Sequence, residues 1–340
     1  MTETRLFVPA IEDYLGPGER RFFGGGFRRV EQRLRDIRVS CGPESTRLSA
    51  QASVNYPRDW SAKGSRAELA PHLSTIDALV LGARVSEILL VHAYGLDPGA
   101  RSRMWLRRAR VRAGGRPQED LGTLSLRSAG HVAESVPIAD GARVSRVESH
   151  IGSMTVACEV QHEEGGGYRS GVADVHHADA DRALGEPYGQ YFAELFRHRR
   201  QHIGHLLVDS AAGQVDASVR ITPAPGEGPY FNTGMEAAYA PSASMIDAIT
   251  VMGQLVQVLL YELDGIDRSG SDTLWLRLAE LATDLPLRPL DGAFPVRTTI
   301  EDSRVLILAG DSWRVCDLGY AFHGITGTYS VAHRLPPRGL

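Results

Sequence analysis

A chain of 340 residues, 43% hydrophobic and 23% charged, has the make-up of an ordinary folded globular protein. Its net charge of −4 excludes a general nucleic-acid binder, because no basic excess is present to neutralise phosphates. Cys41, Cys158 and Cys316 are few, odd in number and lack metal-ligand spacing, which predicts reduced thiols in a cytoplasmic protein.

The opening segment, MTETRLFVPAIEDYLG, contains no apolar core of signal-peptide length. A strand is predicted over 47–57, where apolar and polar residues alternate and Pro57 closes the run. A loop carrying Lys63-Gly64-Ser65-Arg66 follows; it matches no phosphate-loop pattern, but its two cations suit an anion. Ser74-x-x-Asp77 then has the form of a helix-capping box. From Asp77 to Tyr94 only Gly82 interrupts a helical stretch that stops at Gly95, with Pro98 beyond. That helix is apolar on nearly all sides, so it must be buried on nearly all sides, and a wrapped sheet supplies the cover.

Strands are predicted at 104–111, 123–132 and 143–161. The stretch 163–196 opens on Gly165-Gly166-Gly167 and reads as a linker with a helix near Pro187 to Phe196. Within it, His176-His177 with Asp174, Asp179 and Asp181 fits no zinc spacing. Gly24-Gly25-Gly26 fits no dinucleotide motif, so neither a metal nor a cofactor is expected. A second alternating strand spans 214–223. A second apolar helix follows Ser244-x-x-Asp247 and ends at Gly265. Strands are then predicted at 273–280, 296–300, 304–309, 313–320 and 328–333. The apolar runs 76–94 and 246–263 contain Asp, Arg, Glu or Gln and do not read as membrane spans.

The two helices belong to an internal repeat. Pro71-His72-Leu73-Ser74-Thr75-Ile76-Asp77-Ala78 returns as Pro241-Ser242-Ala243-Ser244-Met245-Ile246-Asp247-Ala248. Met104-Trp105-Leu106-Arg107 returns as Leu274-Trp275-Leu276-Arg277, so the shift is 275 − 105 = 170 residues, half the chain. One long buried helix between an early strand and several later antiparallel strands describes a hotdog fold. Two in one chain predict an α+β double hotdog, a pseudo-dimer whose sheets join edge to edge. The expected units are 1–165 and 196–340, with 166–195 as linker, in a monomer or a homodimer.

Candidate functional residues cluster at the helix starts and along one helix stripe. Capping explains Asp77 and Asp247 without chemistry. Asp77, Arg84 and Glu87 fall within an arc of roughly 80° on the first helix, and Asp247, Gln254 and Gln257 repeat the pattern on the second. Buried polar groups need partners, water or a cavity. The structural reading is an Arg84–Glu87 pair with the two glutamines bridging the halves. The functional reading is a polar-lined cavity between the helices and the facing sheet. His72 breaks the symmetry, since its counterpart is Ser242. Beside Asp77, it forms the usual pairing for proton transfer near neutral pH.

The segments IEDYLGPGERRFFG (11–24) and PHLSTID (71–77) resemble the AvrD family of bacterial proteins. The resemblance extends over nearly the whole chain. It implies a role in making syringolide-type elicitors, small lipid lactones built from a β-ketoacyl chain and a sugar. The implied reaction is similar to that of the γ-butyrolactone (A-factor) synthases, which are also double-hotdog-like and join a β-ketoacyl thioester to a phosphorylated triose. Polyketide dehydratases offer another comparison, with a His from one unit and an Asp at the helix start of the other. Asp247 matches that Asp, but His72 does not match that His, and Val251 stands where dehydratases carry Gln. These implications predict condensation of a β-ketoacyl thioester, on acyl carrier protein or coenzyme A, with a ketose or its phosphate, giving a butenolide-type precursor. His72 with Asp77 and Asp247 with Gln254 are the expected proton-transfer groups. Arg84, Glu87, Gln257, Lys63 and Arg66 are the expected substrate contacts, and an apolar tunnel is expected for the acyl chain. A thioesterase or dehydratase on the same scaffold, or a non-catalytic binder of acyl-lactones, is the alternative.

Overall fold

A computed structural model describes residues 5–61, 70–266, 268, 274–308 and 310–336. In chain order the strands are β1 (Arg5–Ala10), β2 (Glu31–Cys41), β3 (Ser45–Asn55), β4 (Trp105–Arg112), β5 (Leu124–Pro137), β6 (Ala142–Ile151) and β7 (Met154–Glu163). They continue as β8 (Val175–Asp179), β9 (Arg200–Asp209), β10 (Gln214–Thr222), β11 (Trp275–Ala282), β12 (Phe294–Leu308), β13 (Asp311–Phe322) and β14 (Ile325–Arg334). The helices are α1 (Ile11–Leu15), α2 (Thr75–Tyr94), α3 (Pro98–Ser102), α4 (Ala180–Leu184) and α5 (Met245–Asp264).

The long helices α2 and α5 start and stop where the sequence predicts. Ser74 and Ser244 cap their first turns, and Gly95 and Gly265 close them in the left-handed conformation. α5 is long and apolar enough to cross a membrane, yet 78% of its most apolar window is buried in the protein, which makes it a core helix. All strand pairings are antiparallel, in one sheet of 14 strands among the described residues. Each half of that sheet wraps one long helix, so the fold is a double hotdog.

The halves meet where β4 pairs with β11. That register centres on Arg110 opposite Glu280, two positions one repeat apart, and their side chains form an ion pair with Nε–Oε1 at 2.7 Å. A pseudo-twofold axis therefore passes between them. Outward from this seam one half runs β4, β7, β6, β5, β3, β2, β8, and the other runs β11, β14, β13, β12, β10, β9, β1.

The outermost strands are exchanged. β1 opens the chain but pairs with β9 of the second half, whereas β8 pairs with β2 of the first. The stretch expected to be a linker is thus the opening of the second repeat: β8 and α4 mirror β1 and α1. Gly16 and Gly185 leave those short helices at φ of 79° and 85°. The helix expected near Pro187 to Phe196 is instead a run of turns ending in a 3-10 turn at Leu195–Arg197. β6 and β7 form a hairpin where one run was expected over 143–161. The run 296–300 and residues 304–308 of the next fall in the single long strand β12, whose register shifts between Ile300 and Asp302.

Gly82 marks the tightest approach of α2 to its sheet, because a Cβ there would lie 2.6 Å from Cγ1 of Val156. Alanine normally favours a helix over glycine by about 1 kcal/mol, but overpacking costs about 1–3 kcal/mol. Gly82→Ala is therefore expected to lower the unfolding free energy in chemical denaturation. Adding Val156→Ala should recover part of that loss, so the double variant should be more stable than the sum of the single effects allows.

Candidate active site at the start of the first core helix

Each core helix begins on a fully buried carboxylate, and burial without partners would cost several kcal/mol. Asp77 is satisfied by the Ser74 hydroxyl at 2.6 Å, the Ser74 amide at 3.2 Å, the Gln32 amide at 2.6 Å and the Tyr56 hydroxyl. Asp247 receives the Ser244 amide and hydroxyl, both at 3.0 Å, the Gln201 amide at 2.6 Å and a guanidinium N–H of Arg199. The glutamines are fixed crosswise. Arg197, from the second half, donates to Gln32 Oε1 at 2.5 Å, and Arg28, from the first, donates to Gln201 Oε1 at 2.5 Å.

The two helix starts then diverge. At α5, Arg199 lies between Asp247 and Glu227 with its guanidinium 4.4 Å from the Tyr191 ring centroid, and all three charged side chains are at most 2% exposed. At α2, the partner beside the capping serine is the neutral Tyr56, and burial raises its phenol well above the usual range. The far ends of the polar stripes diverge too. Glu87 is closed off by Arg101, with Nε–Oε1 at 2.5 Å, and by the Met235 amide at 2.8 Å. Glu236 beside it accepts the Leu106 amide at 3.1 Å. Met235 and Glu236 lie between β10 and α5, a connection of 22 residues (223–244) against 19 (56–74) between β3 and α2.

At the corresponding place across the axis there is a cavity of about 110 Å³, lined by His72, Ser74, Thr75, Arg21, Gln254 and Gln257 against apolar walls that include Phe22, Trp60 and Met154. Desolvation holds the His72 imidazole below its usual range, with Asp77 and Glu119 opposing more weakly. The Trp60 ring stands edge-on to it, with centroids 6.1 Å apart. Arg21 donates to Gln254 Oε1 at 2.5 Å, and burial pulls its guanidinium down to about 10, so it stays charged at neutral pH. Gln254 in turn donates to the Phe23 and Thr250 carbonyls at 3.2 and 3.1 Å. The cavity thus joins a neutral base, amides, a cation and a helix N-terminus in an apolar setting, a combination suited to acyl chemistry.

A sequence model of the Pseudomonas avirulence D protein (AvrD) family matches residues 6–336. The chain belongs to the AvrD family. No curated protein matches its sequence. Similar solved structures include the tesB protein MAP1729c of Mycobacterium avium subs paratuberculosis, at 8% identity and a TM-score of 0.38 over 85% of this chain and 93% of that one. A MaoC-like dehydratase aligns at 8% identity and a TM-score of 0.36, covering 76% of this chain and 85% of its own. A hot dog fold protein of unknown function from Alicyclobacillus acidocaldarius aligns at 8% identity and 0.32, covering 88% and 96%.

Of the residues singled out in this AvrD-family sequence, the structure brings His72, Gln254 and Gln257 together at the cavity. Asp77 and Asp247 do not line it. The expected pair of Asp247 with Gln254 is not formed, because each is bonded elsewhere. The His72 imidazole makes no described hydrogen bond to Asp77; the Tyr56 hydroxyl lies between the Asp77 carboxylate and the His72 backbone carbonyl, 2.9 Å from the latter. The Arg84–Glu87 pair is absent too, since Glu87 takes Arg101 and Arg84 faces a separate cleft. Gln254 does bridge the halves, through Arg21 and Phe23. Lys63 and Arg66 lie outside the described residues. His177 contacts His92, with Nε2 atoms 3.0 Å apart, and no group of three potential metal ligands occurs among the described residues.

The residues missed from sequence are Arg21, Arg28, Gln32, Tyr56, Tyr191, Arg197, Arg199 and Gln201. Most belong to a fainter part of the repeat, in which Phe22-Phe23, Phe27-Arg28 and Gln32 return as Tyr191-Phe192, Phe196-Arg197 and Gln201 with a shift of 201 − 32 = 169. Removing one member of a buried ion pair typically costs about 3–5 kcal/mol. Arg199→Leu, which leaves Asp247 and Glu227 facing each other, should lose at least that in urea unfolding. Arg29→Ala, which breaks only the exposed pair with Asp59, should change stability by less than about 1 kcal/mol.

Proposed function

We propose that this protein joins a β-ketoacyl thioester to a hydroxyl of a ketose or ketose phosphate, releasing the carrier thiol. The observation that carries the reading is His72: a largely desolvated imidazole in a cavity shared with Gln257, Arg21 and the first turn of α2. In this scheme neutral His72 takes the proton of the acceptor hydroxyl as its oxygen bonds the thioester carbonyl carbon. The tetrahedral oxyanion forms beside the Thr75 amide, which lies in the first turn of α2, lines the cavity and has no hydrogen-bond partner among the described residues. The Gln257 amide, also without a described partner, supplies a further donor. The C–S bond then breaks, and the proton held on His72 passes to the departing thiolate.

Gln254, whose amide is already fully engaged, and Arg21 act by positioning. Asp77 anchors the helix start and Tyr56. A volume of about 110 Å³ suits the reacting head of the acyl group, since pockets for whole drug-sized ligands run to about 300–1,000 Å³. Among the described residues this cavity alone does not hold a whole acyl chain. Dehydration is disfavoured because Asp247, the residue that resembles the dehydratase acid, is held by Arg199, Gln201 and Ser244.

With a β-ketoacyl-coenzyme A and dihydroxyacetone phosphate or xylulose phosphate, purified protein should release free thiol only when both substrates are present. Release that ignores the ketose would identify a thioesterase, and no release in any combination would favour a binder. His72→Ala should lower the rate by about 100-fold or more. Because the His72 pKa is depressed, its basic form persists to lower pH than in an ordinary histidine. The acid limb of the rate profile should therefore fall below the usual value of about 6.5.

A further inference from the structure

In a cleft separate from the His72 cavity, Arg84 occupies a state that a folded protein ordinarily avoids. Its side chain is only 8% exposed, its Nε is buried without a hydrogen-bond partner, and its sole ion pair among the described residues is a loose 3.8 Å contact to a half-exposed Asp181. Its counterpart one repeat later, Gln254, makes three hydrogen bonds. Arg84 opens on a polar cleft of about 430 Å³ between the start of β2, the start of α4 and the turns before β9. Arg197 lines the same cleft. It is fixed by Gln32 and by the Phe196 ring, 5.3 Å from its guanidinium, and its Nε is likewise buried and unpaired.

We propose that Arg84 and Arg197 form an oxyanion site for a phosphate group of a small phosphorylated molecule, separate from the His72 cavity. Two arginine side chains line one cleft, each keeps a buried Nε–H without a partner among the described residues, and planar guanidiniums suit phosphate oxygens. The carboxylates around the cleft do not fill this role. Glu31 takes Arg33 at 2.8 Å, Asp179 caps the Arg182 amide at 2.9 Å, Glu194 lies 3.6 Å from His198, and Asp181 is the loose contact already described. Gln32 bonds both Arg197 and Asp77, so an occupied site would also tension the anchor at the start of α2. The site itself does not depend on the proposed reaction. The choice between its two phosphate sources, a ketose phosphate or the phosphates of coenzyme A, does rest on that reading.

The full-length protein should be titrated with inorganic phosphate and followed by thermal unfolding and by ³¹P line broadening. Phosphate is expected to raise the melting temperature of the parent. Arg84→Gln, which copies the residue α5 already carries at the symmetric position, should fold, should melt no lower than the parent without phosphate, and should bind phosphate at least tenfold more weakly. Arg197→Gln should weaken binding similarly, and His72→Ala should leave it unchanged. Displacement of phosphate by dihydroxyacetone phosphate but not coenzyme A would assign the site to the acceptor, and the reverse would assign it to the carrier. No binding to the parent, binding indifferent to Arg84→Gln, or displacement by neither compound would overturn the proposal. Intact phosphate binding together with thiol release indifferent to the ketose would sink the reaction scheme and leave the site standing.

Discussion

The structure depends on how two apolar helices each bury a carboxylate at their first turn. An aspartate three residues after a capping serine is ordinarily a surface feature, worth about 1 kcal/mol with its cap. Here the helices are enclosed, so Asp77 and Asp247 are enclosed with them. Neither can be left unpaired, and the neighbouring elements are arranged around that demand. β2 delivers Gln32 to Asp77, and β9 delivers Gln201 to Asp247. Each glutamine is then oriented by an arginine from the other half, so neither helix start is complete within its own repeat. The exchange of β1 and β8 between the halves has the same consequence at the sheet edges. Two interfaces, one of side-chain hydrogen bonds at the helix starts and one of backbone pairing at the rim, therefore tie the halves to each other.

Symmetry at the axis also explains where asymmetry is tolerated. The Gln–Asp–Ser core is repeated because both helices need it. The groups just outside it are free to differ, provided each buried charge finds a partner. In the second repeat Arg199 and Glu227 add an ion pair, and the longer connection brings Met235 and Glu236 across the end of the stripe at Glu87. That end of the stripe is closed by groups from both halves, Glu87 and Arg101 of the first and Met235 and Glu236 of the second. In the first repeat the corresponding surroundings are Tyr56, Trp60 and His72, mostly aromatic and uncharged near neutral pH, and a cavity remains. Among the described residues, one inherited geometry is thus closed over Glu87 and leaves a cavity beside His72.

The sequence displayed the strong half of this pattern. The capping boxes, the length and all-round apolarity of the helices, and the 170-residue shift led to a double hotdog, because a helix without a polar face has few other ways to be covered. His72, Gln254 and Gln257 were legible as departures from symmetry or as polar positions on an apolar helix. The exchanged strands were not legible. β1 and β8 are short edge strands without similar sequence, and pairing with a distant strand leaves no local signature. The partners of the aspartates were hidden for a related reason. Gln32, Gln201, Arg28 and Arg197 look like ordinary polar residues until the fold sets them opposite a buried charge. Only the faint return of Phe-Arg and Gln at a shift of 169 pointed to them.

Arg84 and Gln254 show how far the symmetry argument reaches. A substitution at a symmetric buried position leaves two outcomes: new partners inside the protein, or an unmet requirement. Gln254 followed the first route, with Arg21 and two backbone carbonyls closing every donor and acceptor it places toward them. Arg84 followed the second, since its long cationic side chain reaches past the helix surface into a polar cleft without a hydrogen bond to any described residue. An arginine held there lowers the stability of the empty protein relative to a glutamine, because its desolvation goes unrecovered. Its persistence is understandable if the missing interactions are supplied from outside. The His72 cavity and the Arg84 cleft differ in the same way: the first has mostly apolar walls, the second polar and charged ones.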